Sequence, residues 1–106
     1  MHVIIKLHAE LRKAFGRKEV PISIDRAAAT LADALDALLA IKAGDSHAAR
    51  ILAASTGPGA TFATGAALNP AVVVLINDAD YRLAGGLATP LHDGDAITLL
   101  PTIHGG

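Results

Sequence analysis

VVVLINDADYRL, residues 72–83, opens with five consecutive apolar residues, four of them β-branched, and then breaks on Asn77-Asp78. A run of that kind predicts a buried strand over 72–76, and the Asn-Asp pair supplies the turn chemistry to end it. Tyr81–Leu83 then predicts a short return strand, broken by Gly85-Gly86. Further on, LHDGD (91–95) reads as a turn with Gly94 at a position needing positive φ. Ala96–Leu100 forms the last strand, which Pro101 is expected to stop.

Working back toward the first residue, Val3, Ile5 and Leu7 alternate with His2, Ile4 and Lys6, a period-2 pattern that predicts a strand over 2–7. Leu11 and Phe15, four apart, mark a helical turn over 9–15 that Gly16 closes. Val20, Ile22 and Ile24 predict a second strand, which Pro21 places at a sheet edge or at the strand's start. Thr30 followed by Asp33 makes a capping box, and Leu31, Leu35, Leu38 and Leu39 recur on one face of the main helix, 31–42, ended by Gly44. A second short helix is expected over 46–54, capped by Ser46, and the Gly/Thr/Ala-rich stretch 55–70 reads as a mobile loop within a variable segment 43–70. The order strand, strand, helix, strand, strand, strand describes an α+β domain over 1–106, a sheet with one long helix packed on one face to bury the leucine stripe.

Composition narrows the function classes. The 106 residues are 52% hydrophobic and 18% charged, with a formal net charge of -1 and no cysteine or tryptophan. Disulfides, thiolate metal sites and a cysteine nucleophile within the chain are thereby excluded. Near-neutral charge argues against a dedicated nucleic-acid or membrane-surface binder. The charge is uneven, however: residues 1–26 carry six basic residues against Glu10, Glu19 and Asp25, whereas the other 80 carry three against seven acids. One basic and one acidic face, or a plain solvated surface, both accommodate this. No apolar run reaches the ~18 residues of a membrane span, and the first residues read as a strand rather than a signal peptide, so a cytoplasmic protein is expected.

Catalytic motifs are scarce. The glycines between Gly57 and Gly65 lack the Gly-Lys-Ser/Thr of a phosphate loop. Asn77-Asp78-Ala79-Asp80 begins like a calcium loop but has Arg82 where a ligand belongs. The five histidines show no metal spacing, and Ser23, Ser46 and Ser55 have no nucleophile setting. No catalytic residue and no metal site is assigned, and a carrier or binding module is favoured over an enzyme.

What remains is the ending, and here the residues resemble a known family: the ubiquitin-like sulfur carriers of the MoaD/ThiS type and, within them, the ubiquitin-related modifier. The resemblance is carried by VVVLINDADYRL and by LHDGDAITLLPTIHGG (91–106), with its acidic turn, apolar strand and Gly-Gly end. His104-Gly105-Gly106 leans toward the modifier branch, Leu100-Pro101 toward the molybdopterin-synthase small subunit. The resemblance implies a ubiquitin-like β-grasp fold, a mixed sheet of about five strands whose last strand lies centrally beside the first, with a flexible Gly-Gly tail over 102–106. It also implies that an ATP-dependent, ubiquitin-activating-type enzyme adenylates the Gly106 carboxylate, which a sulfur donor converts to a thiocarboxylate for an acceptor enzyme serving molybdopterin, tRNA thiolation or a similar target. No cofactor is expected on the chain itself. Gly105 supplies reach, while Thr102, Ile103 and His104 are expected in the partner's channel. Leu99, Leu100, Pro101 and Ile103 are candidates for docking, one of each alternating pair serving the core, and Asp78, Asp80, Asp93 and Asp95 for electrostatic steering. Conjugation of Gly106 to target lysines, and a plain β-grasp interaction module with incidental glycines, are the competing readings.

Overall fold

The computed structural model describes residues 1–26, 28–41, 46–54 and 61–102. Among these, β1 (His2–Leu7), β2 (Glu19–Ser23), β3 (Val72–Ile76), β4 (Ala79–Asp80) and β5 (Ala96–Pro101) form one sheet in the order β2-β1-β5-β3-β4. β1 and β5 run parallel in the centre; the other neighbouring pairs are antiparallel. The last strand therefore lies beside the first, as the resemblance implied.

Pleating decides which residues form the core, because successive side chains point to opposite faces. Val3, Ile5 and Leu7 of β1, Val20 and Ile22 of β2, Val72, Val74 and Ile76 of β3 and Ile97 and Leu99 of β5 all turn inward. The long helix α2 (Leu31–Ile41) lies over that face and buries Leu31, Ala32, Ala34, Leu35 and Leu38. Each fully buried leucine contributes about 1.5–3 kcal/mol relative to exposure. The start of α2 is fixed by the expected capping box: Thr30 N–H donates to Asp33 Oδ2 at 2.9 Å and Asp33 N–H to Thr30 Oγ1 at 3.4 Å. Arg26 adds an ion pair to Asp33 at 2.9 Å.

The helix α1 (Ala9–Phe15) connects β1 to β2, buries Leu11 and Phe15, and ends on Gly16 at φ 68°, the left-handed conformation that glycine adopts without strain. The short helix α3 (Ser46–Leu52) packs against α1. The expected stop at Gly44 and the Ser46 side-chain cap lie outside the described residues, as does 55–60 of the expected mobile loop.

Four expectations change. Residues 61–70 are not a featureless loop: Phe62–Thr64 form a 3-10 turn with a Thr61/Thr64 capping box, and Phe62 and Leu68 enter the core. Asp36 of α2 holds this turn by accepting the backbone N–H groups of Phe62 (2.8 Å) and Ala63 (3.0 Å). The second correction concerns Tyr81–Leu83, which form no strand. β4 stops at Asp80, whose carboxylate caps the one-turn helix α4 (Tyr81–Ala84) by accepting Arg82 N–H at 2.9 Å. The same Asp80 takes a bidentate pair from the Arg82 guanidinium, Nε at 3.1 Å and Nη2 at 2.9 Å, which holds its carboxyl down at about 2.

Third, β3 is buried on one face only, because Val73 and Leu75 point to the opposite side and remain half-buried. Fourth, the last strand ends at Pro101 but includes it. Pro101 is the final residue of β5, paired with Val72 and buried. β5 bonds β3 through alternate residues, as Asn77 N–H to Ala96 O (2.8 Å) and Thr102 N–H to Ala71 O (2.8 Å) show. Pro101 falls between these, and its nitrogen faces the β1 side, where the pairing has already ended at Leu7 and Leu99. The missing N–H costs no ladder bond at that place.

Candidate functional site: the exit of the last strand and the open sheet face

The two motifs flanking the last strand clasp one another at one end of the sheet. Asn77 and Asp78 form the β3–β4 turn with φ of 50° and 69°. The Asn77 side chain donates from Nδ2 to Asp95 Oδ1 at 2.9 Å and accepts Ala96 N–H at 3.0 Å. Gly94, at φ 90°, donates its N–H to His2 O at 2.7 Å, and Asp93 Oδ1 accepts His2 N–H at 2.6 Å. Asp95 Oδ2 accepts His92 N–H at 2.8 Å. The Asn-Asp and Asp-Gly-Asp signatures thus set the register of β5 against both neighbours.

From that clasp β5 runs through the middle of the sheet to the opposite end, about 20 Å away at ~3.3 Å per residue. There Thr102 is tied down: its N–H and its hydroxyl both donate to Ala71 O. Thr102, expected in the tail, is therefore an anchor, and the segment beyond it begins at 103. Ile103, His104, Gly105 and Gly106 lie outside the described residues.

No described helix covers the sheet face away from α2. On β5 it presents Ala96, Thr98 and Leu100; on β1, His2, Ile4 and Lys6; on β3, Val73 and Leu75. Leu100 pairs with Val73 across the strands, and Thr98 lies between Lys6 and Leu75. Ile4 and Leu100 are exposed, whereas Leu99 and Pro101 belong to the core. Of the expected docking residues that are described, Leu100 is the one on this face, next to the exit at Thr102.

The acidic residues do not sit at that exit. Asp93 and Asp95 are turn caps at the far end of β5, and Asp80 is neutralised by Arg82. The exit is instead flanked by the start of α1, because β1 and β5 are parallel and α1 packs against β5. Among the described residues no group of three or more His, Cys, Asp or Glu side chains is placed to hold a metal, and no helix is long and apolar enough to cross a membrane.

The family description Urm1 (Ubiquitin related modifier) matches residues 48–106, more than half of the chain and the whole of the β3-to-exit unit. This chain belongs to the ubiquitin-related modifier family. It is 33% identical over 107 residues to the sulfur carrier protein CysO of Mycobacterium tuberculosis, covering all of both chains. It is 47% identical over 45 residues to ubiquitin-related modifier 1 homolog 2 of Arabidopsis thaliana, a match that covers 42% of this chain and 46% of the plant protein. The small archaeal modifier protein 1 from Methanosarcina acetivorans superposes with a TM-score of 0.74 at 28% identity, over 99% of this chain and 96% of that one. The fold is thus the ubiquitin-like β-grasp of these modifiers and carriers.

Sequence reasoning missed two positioning side chains, Asp36 and Asn77. Thr61 and Thr64, three residues apart, were the available signal for the turn that Asp36 holds. Nothing local announced that Asn77 reaches across to Asp95, a contact of 18 residues' separation.

Proposed function

We propose that this chain is a sulfur carrier, a protein substrate rather than an enzyme, which carries sulfur as a thiocarboxylate on Gly106. The observation that carries the reading is the end-to-end match to a sulfur carrier protein, together with a family match that runs through Gly106. The chemistry asks little of the carrier. A terminal carboxylate, with a pKa of about 3.5, is ionised at neutral pH and attacks the α-phosphorus of ATP held by an activating enzyme, releasing pyrophosphate. The terminal sulfur of a donor persulfide then displaces AMP from the acyl adenylate, and a thiol cleaves the resulting S–S bond to leave the thiocarboxylate. Sulfur resides on the acyl carbon, so the absence of cysteine from the chain is no obstacle.

In this reading each segment has a task. Gly105 and Gly106 lack Cβ atoms and leave the carbonyl unhindered. Ile103 and His104 line up in the partner's channel, and Leu100 with its neighbours on the open face docks the activating enzyme. Intact mass spectrometry tests it: incubation with ATP, the activating enzyme and a sulfur donor exchanges one oxygen for sulfur, and deletion of Gly106 abolishes the change. Unaltered mass, with an enzyme active on another carrier, defeats the reading. The family description favours a second use of the same adenylate, attack by a target lysine to form an isopeptide. Conjugate ladders in cells that disappear on deletion of Gly106 are its signature.

A further inference from the structure

The function proposed above leaves the basic first quarter of the chain unused. Arg12 and Lys13 lie in the last turn of α1, and Arg17 and Lys18 in the turn that follows it. These four, with Ala9 and Gly16, line an open concavity of about 640 Å³. Lys13 pairs with Glu10 at 3.4 Å. Arg12, Arg17 and Lys18 are exposed and form no ion pair with any described residue. Three cations without an ion-pair partner among the described residues, around one hollow in a chain of net charge -1, are a local excess that folding does not require.

Position gives the excess a meaning. Leu7 donates its N–H to Lys18 O at 2.7 Å, and Leu7 is also the β1 residue paired with Leu99. Two strand spacings therefore separate Lys18 from Leu99, about 10 Å at ~4.8 Å per strand. The four residues beyond Thr102 reach at most about 14 Å when fully extended. Any enzyme that closes on Gly106 thus lies within reach of Arg12, Arg17 and Lys18. Asp93 and Asp95 of the acidic turn stand at the opposite end of β5, so the basic hollow is the charged feature next to the exit.

We infer that the hollow formed by α1 and the turn after it docks a cluster of carboxylates on the enzyme that handles Gly106, and that this basic end, rather than the acidic turns, orients the carrier on approach. The inference rests on the carrier reading. An acidic protein surface fits better than RNA, because seven acids against three bases over residues 27–106 repel a polyanion that extends past the hollow. A carboxylate patch of limited size meets only the positive end. The cations gain steering and register from it.

The experiment measures binding separately from transfer. Affinity of the full chain for the activating enzyme, without ATP, is determined across a salt series for wild type and for the combined substitution Arg12→Glu, Arg17→Glu, Lys18→Glu. A milder set, Arg12→Gln, Arg17→Gln, Lys18→Gln, guards against misfolding and is checked by circular dichroism. The expected result is a loss of at least about tenfold for the Glu set at low salt, a smaller loss for the Gln set, and convergence with wild type as salt rises. Equal affinity of all three proteins overturns the inference, as does an enzyme that binds none of them. Retention of enzyme binding with loss of binding to a tRNA probe overturns it in favour of RNA. Thiocarboxylate formation on wild type, read by intact mass beside the affinities, separates the two readings: if wild type acquires no thiocarboxylate yet the Glu set still loses affinity, the transfer chemistry fails and the docking surface stands. Normal thiocarboxylate with unchanged affinity gives the reverse.

Discussion

Leu99 and Leu100 are chain neighbours on the same strand, and the sheet treats them oppositely: Leu99 has 0% of its surface exposed and Leu100 has 40%. Ile5 and Ile4 repeat the contrast on β1 at 0% and 43%. The inner member of each pair lies in the core beneath the helices, where burial removes apolar surface from water and sustains the fold. The outer member has no such partner among the described residues, yet it is equally apolar. In the carrier reading proposed above, Ile4 and Leu100 on this face are where the activating enzyme settles. The largest prediction tests the inner side of the contrast. Leu99→Ala opens a cavity beneath β5 in the core and lowers unfolding free energy by about 2–5 kcal/mol, read by urea denaturation. A cost below about 1 kcal/mol means that Leu99 is not a core residue and breaks the distinction between the faces.

The inner face also needs its lid in place. Asp36→Ala removes the acceptor that gathers the N–H groups of Phe62 and Ala63, which loosens the turn that delivers Phe62 to the core. The expected loss is about 1–3 kcal/mol, since two bonds to a charged acceptor go at once. Hydrogen exchange of the Phe62 and Ala63 amides localises it: their protection falls while that of β1 and β5 persists. At the start of the helix, Thr30→Ala removes the hydroxyl of the capping box and costs about 1 kcal/mol.

Asp33, the other half of that box, sharpens the same point through pH. The Thr30 backbone N–H, with Arg26 adding to it, holds the Asp33 carboxyl below its ordinary value of 3.8. Its folded pKa is depressed, so in acid the unfolded chain binds the proton first and stability falls as pH falls. The contribution is complete above pH 3.8 and disappears as pH drops through the lower folded value. Asp33→Asn therefore has a shallower loss of stability below pH 4 than wild type, measured by urea midpoints across an acid series. Parallel curves show that Asp33 does not carry that dependence.

Much of this architecture was legible from local pattern. β1, α1, β2, α2 and β3 follow from period 2, period 3.6 and the Thr30/Asp33 box, since each expresses a preference its own residues satisfy. Misreadings arose where a tertiary partner overrode the local signal. Tyr81–Leu83 carry strand-like residues, yet Asp80 and Arg82 bind each other and wind the chain into a turn. Pro101 reads as a terminator until the ladder shows that its nitrogen has no bond to lose. Of the site, the expectation of alternating roles for Leu99 and Leu100 holds in the structure, and the acids named for steering lie at the end of β5 away from the exit. There Asp93 accepts the His2 N–H of β1 and Asp95 the His92 N–H of its own turn. Charge counted along a chain says nothing about which end of a sheet it will occupy.

The smallest effect on stability belongs to the outer member of the pair, and it discriminates most sharply between fold and function. Leu100→Thr places a β-branched residue on β5 and removes little that is buried, so unfolding free energy changes by less than about 0.5 kcal/mol. A carrier that docks through this face nevertheless loses affinity for its activating enzyme, because Leu100 stands beside Val73 next to the exit at Thr102. The loss persists at high salt, unlike that of the Arg12, Arg17 and Lys18 substitutions, since apolar contact is not screened. Two variants with opposite salt behaviour divide the docking surface into an apolar part on the sheet and a charged part on α1. Unchanged affinity for Leu100→Thr at every salt concentration removes the open face from the interface, and leaves the basic hollow as the feature that orients the chain.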